Sequence, residues 1–336
     1  MARQGEACYT GRMEDRLLAL VAASPPAVRS ALARGELLRD HTTLRVGGPA
    51  DLFWCARDAD LLAKTLALAQ RLGAPVTLLG GGSNVCVSDR GVRGLVVRNR
   101  CERATIGLET RSDAGKSLMQ LFVDTARAGL SGLEFAVGIP GTLGGAMVSN
   151  AGAYQQAIAD VVDRIDVVEG GERRVEGVDW MRFSYRDSRL RRPGAEPAAV
   201  VGVWLKLGSA GRKAVLDRAR QNQRNRIHRQ PWQPSAGSFF KNVYDASLAA
   251  EVPGVPDLLR AKGIVPAGIL SAACGCKGLA VGGAQISLRH GNFVVNRGGA
   301  TAADIRLLAD RVRRRVLDRF GVTLEEEVLY VGDWTS

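Results

Sequence analysis

The stretch Val76-Thr77-Leu78-Leu79-Gly80-Gly81-Gly82-Ser83-Asn84 decides the fold class of the first half of this chain. Its first four residues predict a short buried strand, because apolar and β-branched side chains fit a covered, pleated surface. The strand runs directly into the glycine loop 80–84. Glycine allows consecutive backbone N–H groups to approach a ligand closely, so the loop suits a pyrophosphate. A tight turn is the simpler alternative for this loop taken alone.

Two further glycine-rich segments follow, at 138–146 and 150–154. Within the first, residues 141–145 can present N–H groups in the same way or lie against a flat ring. None of these loops is a P-loop. The separate segment Gly115-Lys116-Ser117 has the ending of a P-loop, but Thr110 stands where the first P-loop glycine is required. None has the βαβ context of a Rossmann fingerprint. Three such loops in a positively charged chain nevertheless favour dinucleotide binding.

The formal net charge of +12 predicts anionic partners. Nucleic acid is one candidate, but aromatic residues are only 5% of the chain and no helix-turn-helix, zinc-finger or RNA-binding signature is present. Phosphorylated small molecules therefore fit the charge better. Six scattered cysteines and only three histidines make a metal site an unfavoured interpretation and suit a reducing compartment. No apolar run approaches the roughly 18 residues that span a membrane, so we expect a cytoplasmic protein.

The remaining periodicity predicts a mixed order of helices and strands. Residues 1–39 read as a detachable helical extension, and residues 41–54 as a strand, a glycine turn and a second strand. The last helix is predicted to start after Thr301, a good N-cap, with Asp304 in its first turn. Other helices are predicted at 61–72, 117–128 and 212–227, and strands at 95–98, 164–168 and 199–206.

Residues 237–242, Gly-Ser-Phe-Phe-Lys-Asn, place a hydroxyl beside two side chains that prefer burial. The phenylalanines would draw Ser238 into a partly dry environment, and Lys241 and Asn242 add a charge and an amide. This combination indicates a hydroxyl held for chemistry on an anionic substrate. The alternative is a buried turn in which the serine hydrogen-bonds its own backbone.

Seven motifs along the chain together resemble one family. In order they are Gly-Gly-Gly-Ser-Asn (80–84), Gly-Ile-Pro-Gly-Thr-Leu-Gly-Gly-Ala (138–146), Asn-Ala-Gly-Ala-Tyr (150–154), Tyr-Arg-Asp-Ser (185–188), Pro-Ser-Ala-Gly-Ser-Phe-Phe-Lys-Asn (234–242), Gly-Gly-Ala-Gln-Ile-Ser (282–287) and Leu-Glu-Glu-Glu-Val (324–328). The chain resembles the UDP-N-acetylenolpyruvoylglucosamine reductase (MurB) family over residues 41–332. The brief segment 191–197 and the lack of a tyrosine-bearing insertion before residue 230 resemble its short-looped subtype.

The resemblance implies an α+β fold with an FAD-binding domain of the vanillyl-alcohol oxidase/p-cresol methylhydroxylase type and a smaller α+β substrate-binding domain. The expected boundaries are 1–39 for the extension, 40–209 for the FAD-binding domain and 210–336 for the substrate domain. The implied reaction is NADPH-dependent reduction of an enolpyruvyl UDP-sugar in peptidoglycan precursor synthesis, with noncovalent FAD. We expect a monomer that binds the UDP-sugar and neither nucleic acid nor membrane.

The resemblance also implies three catalytic residues. Arg186 matches the arginine that stabilises the developing enolate, and its alternative role is a surface pair with Asp187. Ser238 matches the proton donor. Glu327 matches the catalytic carboxylate, with Glu325 as the competing candidate, since the two would share one face of a strand.

Two larger sets of residues are implied to bind ligands. The cofactor set is Arg45, Val46, Gly47, Gly80, Gly81, Gly82, Ser83, Asn84, Gly138, Ile139, Pro140, Gly141, Thr142, Gly144, Gly145, Asn150 and Gly152. The substrate set is Tyr185, Arg226, Arg229, Lys241, Asn242, Gln285 and His290. For Arg226 and Arg229 a solvated basic face is the alternative, and for His290 a packed or surface histidine is.

Two other functions compete with this interpretation. One is another FAD-dependent oxidoreductase of the same fold that acts on a sugar or an alcohol. The other is a nucleic-acid binder without enzymatic activity, which only the positive charge supports. Bound flavin would exclude the binder, and covalent attachment of flavin would favour the oxidase.

Overall fold

The computed structural model describes residues 2–192, 194, 196–227 and 230–335, and the side chains of these residues outside 2–12 and 225–227. The chain contains both helices and strands, and most of its strand pairs are antiparallel, so the predicted α+β class is confirmed. The helices are α1 (Ala2–Ala23), α2 (Pro26–Arg29), α3 (Ala59–Leu72), α4 (Leu118–Arg127), α5 (Leu143–Ser149), α6 (Arg212–Ile227), α7 (Ala246–Glu251), α8 (Asp257–Arg260), α9 (Ala267–Ala273) and α10 (Ala302–Phe320). The strands are β1 (Ala33–Arg34), β2 (Ala50–Ala56), β3 (Val76–Leu79), β4 (Val85–Val87), β5 (Val92–Asn99), β6 (Ala104–Thr105), β7 (Glu109–Asp113), β8 (Leu130–Ser131), β9 (Gly152–Ala153), β10 (Gln156–Ala157), β11 (Val162–Glu169), β12 (Glu172–Gly177), β13 (Ala198–Lys206), β14 (Gly208–Ser209), β15 (Ser235–Ser238), β16 (Val243–Tyr244), β17 (Ile264–Val265), β18 (Ala280–Val281), β19 (Ala284–Ile286), β20 (Phe293–Asn296) and β21 (Leu329–Val331).

The chain forms two compact units that interleave in sequence. Unit 1 comprises Met1–Glu36, Ala50–Gly81 and Val92–Arg226, and unit 2 comprises Leu37–Pro49, Gly82–Gly91 and Ile227–Ser336. Two short segments before residue 92 thus belong with the carboxy-terminal part, and α6 belongs with the amino-terminal part. The division into 1–39, 40–209 and 210–336 remains a prediction about the functional domains.

The first sheet of unit 1 has the strand order β1-β2-β5-β3, with β2 and β3 both parallel to β5. Helix α3 connects β2 to β3, so a βαβ crossover exists here, contrary to the sequence-based interpretation. The loop 80–84 follows the second strand of this crossover and leads into β4 rather than into a helix. The glycine pattern therefore lacks the helix that a Rossmann fingerprint requires.

The amino-terminal helix packs firmly on unit 1, so the predicted detachable extension is wrong. Leu20 and Val28 are each only 1% exposed and share a core with Leu62 of α3. The Arg16 side chain donates a hydrogen bond to the carbonyl of Gly73, which ends α3 (3.3 Å). Removing this segment would expose the apolar face of α3 to water.

The second sheet of unit 1 is antiparallel, with the order β12-β11-β13-β7-β6. Helices α4 and α5 contribute Leu121 and Met147 to the core on this sheet, where Phe135 is fully buried. Helix α5 packs against β13 and so fixes the segments 138–146 and 150–152 that lead into it and out of it.

Unit 2 contains a sheet of order β15-β20-β19-β18, a parallel pair of β4 and β21, and helix α10 packed on the sheet. Thr301 and Asp304 form a capping box at the start of α10, as predicted. The strand predicted at the start of 41–54 is wrong. Residues 42–48 form no strand, because distant groups hold them: Asn296 Nδ2 donates to the Leu44 carbonyl (3.0 Å), and the Gly48 N–H donates to the Ser88 carbonyl (2.8 Å).

Candidate active site

Two glycine loops meet in unit 1, where Gly80 and Gly81 of the first lie against Gly141 and Thr142 of the second. A Cβ atom added to Gly81 would lie 2.8 Å from the Cα of Gly141, and one added to Gly80 would lie 2.4 Å from the Thr142 hydroxyl oxygen. These distances are too short for any side chain, so only glycine permits this approach. The sequence predicted both loops as ligand-binding segments, and the structure brings them together.

The touching loops present polar backbone groups without internal partners. Across the described ranges, the N–H groups of Gly81, Gly141 and Thr142 make no hydrogen bond. Thr142 is the N-cap residue of α5, and its hydroxyl accepts from the Gly145 N–H (3.3 Å). Neighbouring N–H donors at a glycine-lined contact fit the pyrophosphate of a dinucleotide such as FAD.

Other glycines of the predicted cofactor set have packing reasons for being glycine. A Cβ on Gly144 would lie 3.0 Å from Ala114 Cβ, and one on Gly152 would lie 2.2 Å from the Gln156 carbonyl oxygen. Ile139 is half-buried beside exposed Gly138 and Pro140, so that part of the loop lies at the protein surface. Their contact with a cofactor stays a prediction.

Six further cofactor candidates lie in unit 2. Arg45 is exposed with a positive φ of 56°, Val46 is buried, and Gly47 has a φ of 130° with Val87 close by. Asn84 Nδ2 donates to the carbonyl of Glu327 (3.0 Å). The end of the glycine loop is thus attached to the segment that carries the candidate carboxylate. Gly82 is buried and Ser83 half-buried in the same loop.

Arg186 occupies a strained turn on the surface of unit 1. Its φ is 52°, and Ser184 and Asp187 exchange backbone hydrogen bonds on either side of it (3.1 and 3.2 Å). The guanidinium donates to the carbonyls of Asn150 (3.3 Å) and Gly152 (2.5 Å) and lies over the Tyr185 ring. Asp187 pairs with Arg192 (2.9 Å). A left-handed arginine held by tertiary contacts is typical of a functional position.

Ser238 is half-buried at the end of β15, opposite Phe293. The following residues, Phe239 and Phe240, are 0% and 1% exposed, which confirms that they anchor the segment. Asn292, which sequence reasoning did not single out, holds the backbone of Phe240 from both sides through its side chain (2.9 and 2.8 Å). Its position two residues after the substrate candidate His290 was the available signal in the sequence.

The three consecutive glutamates have three different environments. Glu325 is exposed and forms a salt bridge with Lys241 (2.5 Å). Glu326 accepts a hydrogen bond from the Tyr330 hydroxyl (2.9 Å), and burial raises the pKa of its carboxyl. The Glu327 N–H donates to the Phe239 carbonyl (2.8 Å). Residues 324–328 form only a single bridge rather than the strand considered from the sequence.

The substrate candidates are distributed unevenly. Asn242 Oδ1 accepts from the Ala267 N–H (3.3 Å), and Gln285 donates to the Gly278 carbonyl (3.0 Å). His290 Nδ1 accepts from the Asn292 N–H (3.1 Å), and its ring packs on Phe293, which supports the packed alternative. Arg226 lies at the end of α6 with a side chain outside the description, and Arg229 lies outside the described residues.

Within the described part of the chain, no group of three or more His, Cys, Asp or Glu side chains is arranged to hold a metal ion. None of the described helices has the length and apolarity needed to cross a bilayer.

Comparison with known families matches both parts of the chain. Residues 50–176 match the FAD binding domain, and residues 229–331 match the C-terminal domain of UDP-N-acetylenolpyruvoylglucosamine reductase. The predicted order, an FAD-binding part followed by a family-specific C-terminal part, is confirmed.

Individual relatives match over nearly their whole length. A UDP-N-acetylenolpyruvoylglucosamine reductase of Heliobacterium modesticaldum is 41% identical, over 89% of this chain and 90% of that protein. UDP-N-acetylenolpyruvoylglucosamine reductase 2 of Symbiobacterium thermophilum is 42% identical, over 95% and 97%. The crystal structure of the reductase from Thermus caldophilus superposes with a TM-score of 0.71 at 37% identity, covering 89% of this chain and 99% of that one.

Proposed function

Because this chain belongs to the UDP-N-acetylenolpyruvoylglucosamine reductase family, we propose that the sites above perform the reductase reaction of peptidoglycan precursor synthesis. The chain is an FAD oxidoreductase that uses NADPH. Bound FAD supplies the hydride chemistry, from NADPH to the terminal vinyl carbon of UDP-N-acetylglucosamine enolpyruvate. The product is UDP-N-acetylmuramate, so the enzyme is a UDP-N-acetylmuramate dehydrogenase.

The protein's own contribution is to bind, to stabilise charge and to deliver a proton. We assign to Arg186 the stabilisation of negative charge on the enol-carboxylate, for which a planar guanidinium fork is suited. We assign to Ser238 the delivery of a proton to the carbon next to the carboxylate, and to Glu327 the supporting carboxylate. A hydroxyl is a weak acid, so it needs the partly dry setting that the neighbouring phenylalanines provide.

One observation carries this assignment: the serine and glutamate segments are paired in unit 2. The Glu327 N–H donates to the Phe239 carbonyl (2.8 Å), and the Lys241 N–H donates to the Glu325 carbonyl (2.8 Å).

We propose that the two touching loops bind FAD noncovalently. Gly81, Gly141 and Thr142 supply N–H donors to the pyrophosphate, and the glycine loops contain no histidine or cysteine that could be alkylated by flavin. Cys86, just after the first loop, is fully buried, and burial raises the pKa of its thiol to about 12. We expect acid precipitation to release the flavin into the supernatant. Flavin retained on the polypeptide would contradict this.

The assignment of Ser238 is tested by separating the two half-reactions in an anaerobic stopped-flow experiment. Ser238→Ala should bind FAD and oxidise NADPH normally, because neither step uses the serine proton. In this variant, oxidation of the reduced flavin by the enolpyruvyl substrate should slow by about a hundredfold or more. Ser235→Ala, three residues earlier in the same strand, is the control and should match wild type. A wild-type rate for Ser238→Ala would leave the serine as a structural turn residue.

Three further properties are proposed from the chemistry of the reaction. The partner is the UDP-sugar substrate, whose diphosphate we assign to Lys241, Asn242 and the arginines at 226 and 229. The location is the cytoplasm, where NADPH and nucleotide sugars are available. We propose a monomer that binds neither nucleic acid nor membrane. Sedimentation of the flavin-loaded protein measures its oligomeric state.

A further inference from the structure

Asn150 lies at the carboxy-terminal end of α5, beside the turn that carries Arg186. It caps the carboxy-terminal end of α5 with a left-handed backbone (φ 43°), and it is 8% exposed. Asparagine tolerates this conformation better than most residues, because its short polar side chain can bond nearby backbone.

Both atoms of the Asn150 side-chain amide are engaged inside unit 1. Nδ2 donates to the carbonyl of Ser184 (2.9 Å), the first residue of the Arg186 turn. Oδ1 accepts from the N–H of Ala159 (3.3 Å). The Asn150 main-chain carbonyl accepts from Nη1 of Arg186 itself (3.3 Å). One residue therefore holds both the guanidinium and the backbone from which it projects.

The Arg186 turn needs such support, because it contains an arginine where a turn with one positive φ normally has glycine or asparagine. A non-glycine residue in this region persists only when its surroundings determine it. On the other side of the turn, Ser188 donates to the Val148 carbonyl (2.7 Å). The end of α5 thus forms hydrogen bonds with both ends of the segment 184–188.

We propose that Asn150 is a positioning residue for Arg186, and that its side chain does not bind the cofactor. This inference rests on the proposed role of Arg186. Since α5 begins at the glycine loop of Thr142 and ends at Asn150, it would set the position of the arginine relative to that loop. Loss of the amide should allow the Arg186 guanidinium to move from its position. Small displacements of a catalytic group lower the reaction rate strongly.

The test is Asn150→Gly, which keeps the left-handed backbone and the carbonyl but removes the amide. We expect oxidation of the reduced flavin by the enolpyruvyl substrate to slow by about tenfold to a hundredfold. Flavin reduction by NADPH, and the Kd of the apo-protein for FAD, should change less than about twofold if the side chain does not touch the cofactor. Ser149→Ala, one residue earlier on α5, is the control and should behave as wild type. Should the glycine variant fail to fold, Asn150→Asp keeps the size and backbone preference and should give the same pattern.

A double-mutant cycle distinguishes the possible failures. In an Arg186→Ala background, Asn150→Gly should cause no further slowing, because the group it positions is absent. Full additivity, or a weakened FAD affinity, would overturn the positioning role while leaving the Arg186 assignment intact. Wild-type turnover by Arg186→Ala alone would overturn the Arg186 assignment and this inference with it.

Discussion

Gly81→Ala tests whether the contact between the two glycine loops forms the cofactor site. The backbone of Gly81 has an ordinary φ, so alanine itself is not strained there. The new methyl group would instead meet the Cα of Gly141 at 2.8 Å. Because the neighbour is backbone rather than a flexible side chain, the loops must move apart.

The size of the effect follows from that distance. An ordinary contact begins at 3.4 Å, so the loops must separate by at least 3.4 − 2.8 = 0.6 Å. Overpacking of this kind costs about 1–3 kcal/mol. The N–H groups of Gly81, Gly141 and Thr142, which we propose as donors to the pyrophosphate, would move relative to one another. Since each 1.4 kcal/mol is about tenfold in affinity, we expect the FAD Kd to rise about tenfold to a hundredfold.

The assay is titration of apo-protein with FAD, followed by flavin fluorescence, together with thermal unfolding of the apo-protein. Gly208→Ala is the matched control, because a Cβ there meets no atom within 4 Å and its φ is also ordinary. It should leave both quantities unchanged. If Gly81→Ala binds FAD as tightly as wild type, the loop contact is not part of the cofactor site.

Two further predictions concern the two units separately. Ser271 in unit 2 is 0% exposed, and its hydroxyl has no partner in the part of the chain that the structure describes. Ser271→Ala should therefore raise the free energy of unfolding by about 1 kcal/mol in urea, and a loss of stability would refute this. In unit 1, burial alone would raise the pKa of Glu134, but the Gly132 N–H (2.7 Å) and the Arg218 guanidinium (2.6 Å) together hold it below its ordinary value of 4.5. A lowered pKa stabilises the fold above the unfolded-state pKa, and this stabilisation is lost as pH falls through the folded-state pKa. The destabilisation caused by Glu134→Gln should thus be largest at neutral pH and shrink below about pH 4. A difference that is constant with pH would contradict it.

The elements that the sequence predicted correctly are those with a strong local cause. The capping box of Thr301 and Asp304 and the apolar repeat behind it place α10 without help from the rest of the chain. Helix α6 begins and ends at the predicted residues, 212 and 227. Residues 42–48 were mispredicted because their path is set by Asn296 and Ser88, which lie far away in sequence.

For the candidate site, too, the sequence predicted features with a local pattern and missed those that depend on distant contacts. Motifs identified the stretches that carry Arg186, Ser238 and Glu327, but not the contacts that distinguish their neighbours. The partner of Glu325 is Lys241, which lies 84 residues away in sequence, so no local pattern could indicate this pairing. The docking of α1 was missed for a related reason, since its apolar residues have mixed spacing and only the facing core reveals which are buried.

The most direct test of the account is an anaerobic titration of the flavin-loaded protein. NADPH should bleach the visible flavin absorbance, and UDP-N-acetylglucosamine enolpyruvate should then restore it in a single turnover. The sugar nucleotide recovered should be UDP-N-acetylmuramate, heavier than the substrate by two hydrogen atoms. Failure of this substrate to restore the absorbance would contradict the account, and flavin reduction by a simple sugar or alcohol in place of NADPH would point to an oxidase of the same fold.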